Sequence, residues 1–545
     1  MTRVKLRPGD RIKQDGAFIR RGSAIEDQWE IIEFLSRPDA YGGRGATGIV
    51  GVDHRETHGA HVFLAGPFAW KIKRSVRFSY MDFSTLERRR TTLVRELELN
   101  RRFAPDLYLG LVAVTRQDDG SLCLGGDGTA VEWALQMRRF DEADLLDARA
   151  ARGPFDDALT KALADAVVES HSCAEPQLGP GAAQRIAAVL DGVTTPLAGL
   201  APVLASTDVA AFREAASRHL GEASGVLERR GLAGHVRRCH GDLHLGNIVV
   251  WHGKPTLFDA LEFDETLATI DTLYDLAFLL MDLLHRGQKE AASLLLSRYL
   301  WRRDESLDIE GLKALPLLLA IRSAIRALVG AQRAAQLQGD RAADRQGSDA
   351  EEARRYLEGA TSHLSVKPAR LVAVGGLSGT GKSTLAAALA PSIGHAPGAL
   401  HLRSDLERKS MLGVGETERL DARHYAPEVG REVYRRLLGK ARLALAAGHS
   451  VIVDAVFAHV EERIAAAQTA HSVGAPFDGL WLSAPCEALL ERVAARRGDA
   501  SDATAAVVLR QLEQDLGAID WWTIDASGGA SETLARAGAV LGCGA

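Results

Sequence analysis

The segment from Gly376 to Ser383 constrains the fold of this chain more than any other stretch of its sequence. It reads GLSGTGKS, which matches the pattern GxxxxGK[ST], and it lies between the apolar stretch LVAVGG and a helical pattern. Its glycines let backbone N–H groups turn inward and cradle phosphate oxygens, and the following helix adds the positive end of its dipole. This strand–loop–helix context predicts a P-loop nucleotide site.

Lys382 and Ser383 complete the predicted phosphate site. The lysine supplies positive charge to the β- and γ-phosphates, and the serine hydroxyl is a ligand for Mg²⁺. Asp454 ends the later strand pattern SVIVDAV and has no glutamate beside it. A water-activating base is therefore missing, which favours transfer to an acceptor over hydrolysis. The residues expected to bind nucleotide in this half are Gly376, Ser378, Gly379, Thr380, Gly381, Lys382, Ser383, Thr384 and Asp454.

The stretch HLRSDLERKSMLG follows a second apolar strand pattern and carries Asp405. Here the chain resembles the gluconate-kinase-like and zeta-toxin-like P-loop kinases, over about Leu371 to Asp525. The resemblance implies that Asp405 is an acceptor ligand or general base; the alternative is a helix N-cap. The stretch LLERVAARRGDASDA resembles the arginine-bearing lid of such kinases. Arg492 and Arg496, four residues apart on one helix face, would then reach the transferring phosphate; a solvated helix face is the alternative.

A second motif, HGDLHLGN, begins at His240, and TLFDALEFDE follows it. The pattern HGDxxxxN with a later aspartate resembles that of aminoglycoside and choline-kinase-like phosphotransferases and is similar to the HRDxxxxN of protein kinases. The resemblance implies that Asp242 accepts the proton of the acceptor hydroxyl, and that Asn247 and Asp259 ligate Mg²⁺. His240 is expected to orient the loop.

A lysine on a strand and a glutamate on a helix are expected to complete this second nucleotide site. The strand FAWKIK offers Lys71 and Lys73 on one face, and only one of them is expected to sit optimally. Lys71 is preferred because related sequences use the first lysine of such a pair, and Glu96 is its expected partner. The acidic residues Glu262, Asp264 and Glu265 either meet a cationic acceptor or form solvated surface, the second being favoured.

The order of the predicted strands and helices indicates a multidomain protein. Two strands, a helix and two further strands indicate a small α+β lobe, and mostly helical sequence follows it. The chain contains the segments THGAHVFLAG, RFSYMDFSTLERRR, ELNRRFAPDLYLG and FDALEFDE. Through them, nearly the whole chain after an N-terminal arm resembles bacterial proteins in which an aminoglycoside-phosphotransferase domain is fused to a P-loop domain of the AAA family. We expect a polar arm at 1–24, a bilobal protein-kinase-like α+β fold at 25–143 and 144–364, a linker at 365–370, and an α/β P-loop domain with a parallel sheet at 371–545.

Composition excludes several classes of partner. The net charge of −5 argues against a nucleic-acid coat or a membrane-surface binder, both of which need basic excess. The five cysteines show no short metal-binding or redox spacing, and the N-terminus lacks the apolar core of a signal peptide. We therefore expect a cytoplasmic protein with no membrane partner, and the charge does not favour a nucleic-acid partner. No feature of the sequence sets an oligomeric state.

The two motifs together predict a bifunctional kinase that uses ATP and Mg²⁺ at two separate sites. Its acceptors are expected to be small hydroxylated molecules such as sugars or aminocyclitols. Two alternatives remain open: a regulatory or stress ATP-binding protein, and a polynucleotide 5′-hydroxyl kinase acting through the P-loop domain. A basic groove formed by Arg403, Arg408 and Lys409 beside Asp405 would favour the polynucleotide kinase.

Overall fold

The computed structural model describes residues 27–42, 49–78, 81–201, 203–336, 343–365, 367–495 and 498–542. The chain divides into two compact units: residues 1–149 with 240–269 form the first, and residues 150–239 with 270–545 form the second. The arm expected at 1–24 lies outside the described residues, as do Val366 of the linker and Arg496. The domain bounds given above remain a prediction.

A six-stranded antiparallel sheet with strand order β1-β2-β3-β8-β6-β7 dominates residues 27–150. It confirms the four strands and the helix predicted for the small lobe. The strands are β1 (Val52–Glu56), β2 (Ala60–Ala65), β3 (Phe68–Lys73), β4 (Arg77–Phe78), β5 (Met81–Asp82), β6 (Tyr108–Arg116), β7 (Leu122–Leu124) and β8 (Thr129–Arg138), and the helices are α1 (Trp29–Leu35), α2 (Leu86–Asn100) and α3 (Leu146–Ala150).

Helix α2 brings polar side chains into the interior of the first unit. Thr85 begins the helix as its N-cap by accepting from the N–H of Arg88. Leu93, Glu96 and Asn100 lie three, four or seven residues apart, so they share one face, and all three are buried. A buried carboxylate requires charged or hydrogen-bonding partners. The buried face of α2 can therefore contribute polar side chains to a functional site as well as apolar side chains to the core.

Residues 150–365 are mostly helical, as predicted, with a short strand–loop–strand insert. The β10–β11 hairpin of this insert turns at His252 and Gly253, both at positive φ, as a tight two-residue hairpin turn requires. The helices are α4 (Asp157–Cys173), α5 (Ala182–Ala198), α6 (Ser206–Leu232), α7 (Glu265–Ala268), α8 (Thr272–His285), α9 (Lys289–Arg303), α10 (Ser306–Glu310), α11 (Leu315–Gln336) and α12 (Ala343–His363), and the strands are β9 (Val236–Arg238), β10 (Ile248–Trp251), β11 (Lys254–Leu257) and β12 (Thr269–Asp271).

Helix α11 is apolar enough over Leu315–Ala335 to cross a membrane by length and composition alone. In this structure 61% of its most apolar window is buried against protein. It packs against α12, α8, α5 and α6. The apolar surface of α11 is thus accounted for by the core of the second unit.

The C-terminal region forms a five-stranded sheet with strand order β14-β15-β13-β16-β17, and every neighbouring pair is parallel. The predicted α/β P-loop fold and the predicted α+β kinase-like fold are therefore both confirmed. The strands are β13 (Leu371–Gly376), β14 (Leu400–Arg403), β15 (Val451–Asp454), β16 (Phe477–Ser483) and β17 (Trp522–Asp525), and the helices are α13 (Lys382–Leu389), α14 (Ser404–Leu412), α15 (Pro427–Ala446), α16 (Val460–His471), α17 (Cys486–Ala495), α18 (Ala505–Leu512) and α19 (Ala530–Leu541).

The helical segment and the P-loop domain belong to the same compact unit and share polar contacts. Trp301 on α9 donates its indole N–H to the carbonyl oxygen of Leu406 on α14 at 3.1 Å. Asp304, directly after α9, accepts from the hydroxyl of Ser410 at 2.8 Å and from the ammonium group of Lys440. Helix α14, which carries Asp405, is therefore fixed from outside the P-loop domain.

Candidate active sites

The HGDLHLGN segment forms a tight loop in the first unit. The buried His240 ring donates from Nε2 to the carbonyl oxygen of Phe258 at 2.9 Å, which fixes the start of the loop against the strand that precedes Asp259. Asn247 donates from Nδ2 to the carboxylate of Asp242 at 2.9 Å and to its carbonyl oxygen at 3.0 Å. These bonds use the amide nitrogen, which leaves the Asn247 side-chain oxygen as its potential metal ligand.

Asp259 lies at the end of the neighbouring hairpin in a left-handed conformation, with φ of 58°. Few residues other than glycine adopt this conformation, and such strain concentrates at functional sites. Its backbone N–H donates to the hydroxyl of Tyr108 at 3.0 Å, and the next N–H, that of Ala260, donates to the Asn100 side chain at 2.9 Å. Tyr108 on strand β6 and Asn100 on helix α2 thus stabilise the left-handed conformation of Asp259.

Five charged side chains form a linear network of ion pairs with Glu96 at its centre. Lys71 contacts Glu96 at 2.7 Å and Asp259 at 2.6 Å, and Lys73 contacts Glu96 at 2.6 Å and Glu262 at 2.5 Å. Both lysines pair with Glu96, because each oxygen of Glu96 takes one lysine, and the choice of Lys71 as the phosphate-binding lysine stays a prediction. The two lysines still differ, since it is Lys71 that bonds to the metal-ligand candidate Asp259.

The expectation of solvated surface is wrong for Glu262, whose side chain is only 8% exposed and pairs with Lys73. The other two acidic residues have local roles. Asp264 accepts from two backbone N–H groups at the start of α7, and Glu265 pairs with Arg95 at 2.7 Å. The acidic residues after Asp259 are therefore engaged within the first unit.

The ion pair between Lys71 and Asp259 favours the charged form of both side chains. Partial burial opposes ionisation of both Lys71 and Asp259, but their opposite charges prevail: the pKa of Lys71 is raised well above its ordinary value, and the pKa of Asp259 is lowered. Burial raises the pKa of Glu262, against the charge of Lys73. An ionised Asp259 and the oxygen of Asn247 are the oxygen ligands that Mg²⁺ prefers, so these residues fit that ion.

The GLSGTGKS loop joins β13 to α13 in the second unit. Gly376, Gly379 and Gly381 have φ of 136°, 90° and 90°, values that residues with a Cβ rarely adopt. Lys382 donates to the carbonyl oxygen of Leu377 at 3.0 Å, at the tip of its own loop. Ser378 and Thr380 are buried in the loop, and Thr384 is exposed in the first turn of α13. The loop has the backbone form that the motif predicts.

Asp454 reaches this loop from the end of β15. Ser383 donates its hydroxyl to the Asp454 carboxylate at 2.5 Å, which brings together the two expected Mg²⁺-binding groups. His401 and Arg403 lie 3.6 and 3.7 Å from the same carboxylate. Burial opposes ionisation of Asp454, but His401, Lys382 and Arg403 lower its pKa to about 2. The carboxylate is thus ionised at neutral pH and suited to hold a metal ion.

Three residues were predicted to contact the acceptor or the transferring phosphate, and the structure describes two of them, Asp405 and Arg492. Asp405 is the second residue of α14, and Arg403 rather than Asp405 holds the N-cap position. Arg492 donates to the carbonyl oxygens of Ser527 and Gly528 at 3.3 and 3.0 Å, and its contact with the transferring phosphate stays a prediction. Arg496 lies outside the described residues.

Sequence reasoning missed Tyr108, Gln511 and the pairing of Lys73 with Glu262. Tyr108 and the Lys73–Glu262 pair support Asp259 and Glu96, and Gln511 on α18 accepts from the backbone N–H of Ser378 at 2.9 Å. Each of these residues meets its partner across a long stretch of chain, and no motif spacing marks such a pair. A second lysine on the face of β3 was the one signal visible in the sequence.

Together, these folds and sites define the class of the protein: the chain combines a kinase-like fold with a P-loop domain. Residues 371–514 match the family model of an AAA domain. The chain is 33% identical over 483 residues to uncharacterized protein Rv2004c of Mycobacterium tuberculosis, a match that covers 86% of this chain and 91% of that protein. Uncharacterized protein Mb2027c of Mycobacterium bovis matches with the same identity and coverage. The chain belongs to the family of these mycobacterial proteins.

Solved structures similar to parts of the chain include two kinases. A choline/ethanolamine kinase family protein from Mesorhizobium loti is 15% identical, with a TM-score of 0.34, and the match covers 61% of this chain and 97% of that one. A sugar kinase from Janibacter is 23% identical, with a TM-score of 0.25, and the match covers 32% of this chain and 96% of that one.

Proposed function

We propose that the chain is a bifunctional ATP-dependent phosphotransferase. Each of its two ATP·Mg²⁺ sites transfers phosphate to a small hydroxylated acceptor, such as a sugar or an aminocyclitol. The observation that carries this proposal is that each compact unit contains its own lysine and its own metal-ligand carboxylate. These are Lys71 with Asp259 in the first unit and Lys382 with Asp454 in the second.

In the first unit, Asp242 acts as the general base. Its side chain is 44% exposed, so an acceptor hydroxyl can reach it, and Asn247 fixes the carboxylate by donating to one oxygen. Asp242 then takes the hydroxyl proton as the oxygen attacks. Lys71 neutralises phosphate charge, and Asp259 with Asn247 would hold Mg²⁺, which would screen the charge of the transferring group.

In the second unit, the backbone N–H groups of the loop and Lys382 bind phosphate, and Ser383 with Asp454 holds Mg²⁺. The residue after Asp454 is Ala455, where a hydrolytic ATPase would carry a glutamate. Asp405, on the helix that follows the neighbouring strand β14, is the proposed contact for the acceptor. This arrangement favours phosphate transfer over hydrolysis, and with it a kinase over a regulatory ATPase.

A small acceptor is favoured over a polynucleotide end because the basic residues near Asp405 have partners within the protein. Arg403 pairs with Asp499 at 2.8 Å. Lys409 is buried and donates to two backbone carbonyl oxygens, and Arg408 donates to the carbonyl oxygen of His424 at 2.8 Å. A groove that tracks a phosphate backbone needs free cationic side chains.

The four described cysteines are unpaired, which fits a reducing cytoplasm.

A screen for phosphate transfer from labelled ATP to a metabolite library tests the proposal. The full chain is compared with Asp242→Asn, with Lys382→Ala and with the double variant, which serves as the blank. We expect one set of phosphorylated products to disappear with each single variant. Equal product formation by the double variant and the wild type would contradict phosphotransfer at these sites, and loss of all products with one variant alone would leave a single active site.

A further inference from the structure

The peptide group between Leu377 and Ser378 connects two side chains at the tip of the P-loop. Its carbonyl oxygen accepts from Lys382 at 3.0 Å, and its N–H donates to Oε1 of Gln511 on α18 at 2.9 Å. Lysines at this position of the motif reach the β- and γ-phosphates. Gln511 therefore lies at the end of the loop where the terminal phosphates bind, and it holds an N–H of the kind that cradles phosphate.

The neighbouring residue shows independently that the tip is packed against the helices after β16. A Cβ added to Gly379 would lie 2.7 Å from the carbonyl oxygen of Leu489 on α17. Ser378 is only 8% exposed. Helix α17 thus approaches the tip at Gly379, and helix α18 approaches it at Ser378. These are the helices that flank the arginine-rich segment expected to form a lid, and α18 supplies a glutamine at the position of contact.

We propose that Gln511 is a specificity-determining residue that recognises the terminal phosphate of ATP at the P-loop site, an inference that rests on the proposed function. Without nucleotide, Gln511 satisfies the buried N–H of Ser378. With ATP, a terminal phosphate oxygen accepts that N–H, and the amide of Gln511, which has donors as well as an acceptor, donates to the same phosphate. ADP lacks the terminal phosphate, so Gln511 contributes little to its binding.

The test measures the ratio of the ADP and AMPPNP dissociation constants by calorimetry. It uses the full chain carrying Asp259→Ala, which removes the metal ligand of the other site. Relative to this parent, Gln511→Ala is expected to lower the preference for AMPPNP about tenfold, the scale of a hydrogen bond to a charged group. Gln511→Glu is expected to lower it further, because a carboxylate keeps the bond to Ser378 but repels phosphate. ADP affinity should stay within about twofold in both.

Gln514→Ala is the matched control, since Gln514 is an exposed glutamine three residues further along the chain. It should keep the parent ratio. If both Gln511 variants weaken the binding of ADP and AMPPNP equally, the role of Gln511 is merely structural and the inference is overturned. A ratio of dissociation constants that stays at the parent value would overturn it as well. Absence of nucleotide binding in the parent itself would contradict the proposed P-loop function, and the inference would fall with it.

Discussion

Arg298 on α9 donates to the Glu416 carboxylate at 2.6 Å, and this bond joins the helical segment to the loop after α14. Lys161 on α4 contacts the other oxygen of Glu416 at 2.9 Å, and Arg298 also pairs with Asp165 at 2.7 Å. All of these residues lie in the second unit. Since α14 carries Asp405, the kinase-like helices form part of the structural support of the proposed P-loop acceptor site.

Replacing Arg298 tests how much this support is worth. The side chains of Arg298 and Glu416 are each 13% exposed, so Arg298→Met leaves a largely desolvated carboxylate with Lys161 as its main partner. We expect a loss of about 1–3 kcal/mol in the free energy of unfolding, measured by chemical denaturation. Arg213→Met is the control, because Arg213 and its partner Asp191 are 57% and 71% exposed. A loss of the same size in both variants would contradict a special role for Arg298.

The same contacts predict a dependence of stability on pH. Burial opposes ionisation of Asp304 and Glu416, but hydrogen bonds from Lys440 and Ser410 to Asp304 and from Lys161 and Arg298 to Glu416 lower the pKa of both carboxyls. A carboxyl whose pKa is lower in the folded than in the unfolded state stabilises the fold at pH values above its unfolded pKa, which is about 3.9 to 4.3 for Asp and Glu. This stabilisation is lost as pH falls through the folded pKa.

The variant Glu416→Gln checks the share of Glu416 in this effect. Wild type should be more stable than the variant at pH about 7, and the difference should shrink as pH falls below about 4, where the wild-type carboxyl becomes protonated. The measurement is the free energy of unfolding of both proteins at pH about 7 and at a pH below about 4. A difference that stays constant across this range would show that the charge of Glu416 contributes nothing to the pH dependence.

Local patterns in the sequence predicted most of the secondary structure that carries the sites. The strand pattern FAWKIK placed β3, and the loop at Gly376 with its flanking strand placed β13 and α13. These elements are encoded within ten to twenty neighbouring residues, where periodicity and turn chemistry act directly. The motifs that carry Asp242, Asn247 and Lys382 likewise form loops in the structure, and the roles of these residues stay predictions.

Pairings between distant residues could not be predicted in this way. Lys73 and Glu262 are 189 residues apart, Ser378 and Gln511 are 133 apart, and Arg298 and Glu416 are 118 apart. A single sequence states the type of each residue but not which distant segments pack together. For this reason the sequence alone favours solvated surface for Glu262, whereas the structure buries its side chain beside Lys73.

Asp242→Asn tests the general base of the first site. We expect phosphate transfer at this site to fall by about a hundredfold or more, because an amide cannot take the hydroxyl proton. Nucleotide affinity should change little, since Lys71, Asn247 and Asp259 remain in place. The rate is measured with an acceptor identified in the screen, and AMPPNP affinity is measured by calorimetry on the Lys382→Ala background. Transfer at the wild-type rate would remove Asp242 from the mechanism.

The number of nucleotides bound per chain tests the independence of the two sites. Each site draws its lysine and its metal-ligand carboxylate from a single compact unit, so each has the groups to bind ATP·Mg²⁺ alone. Calorimetry with AMPPNP and Mg²⁺ should give a stoichiometry near two, with the tighter site at the P-loop. Lys382→Ala should remove the P-loop site and Asp259→Ala the other, so each variant should bind about one nucleotide.

Lys367→Ala serves as the control for Lys382→Ala, because it removes a lysine from the segment before β13 and lies outside the phosphate loop. It should keep both sites. The affinity of the remaining site should match one of the two wild-type affinities, since neither variant removes a residue of the other set. Loss of all binding in either variant would show that one nucleotide is shared, because a composite site needs both carboxylate–lysine sets at once. The proposal of two separate kinase sites would then have to be replaced by a single site built from both motifs.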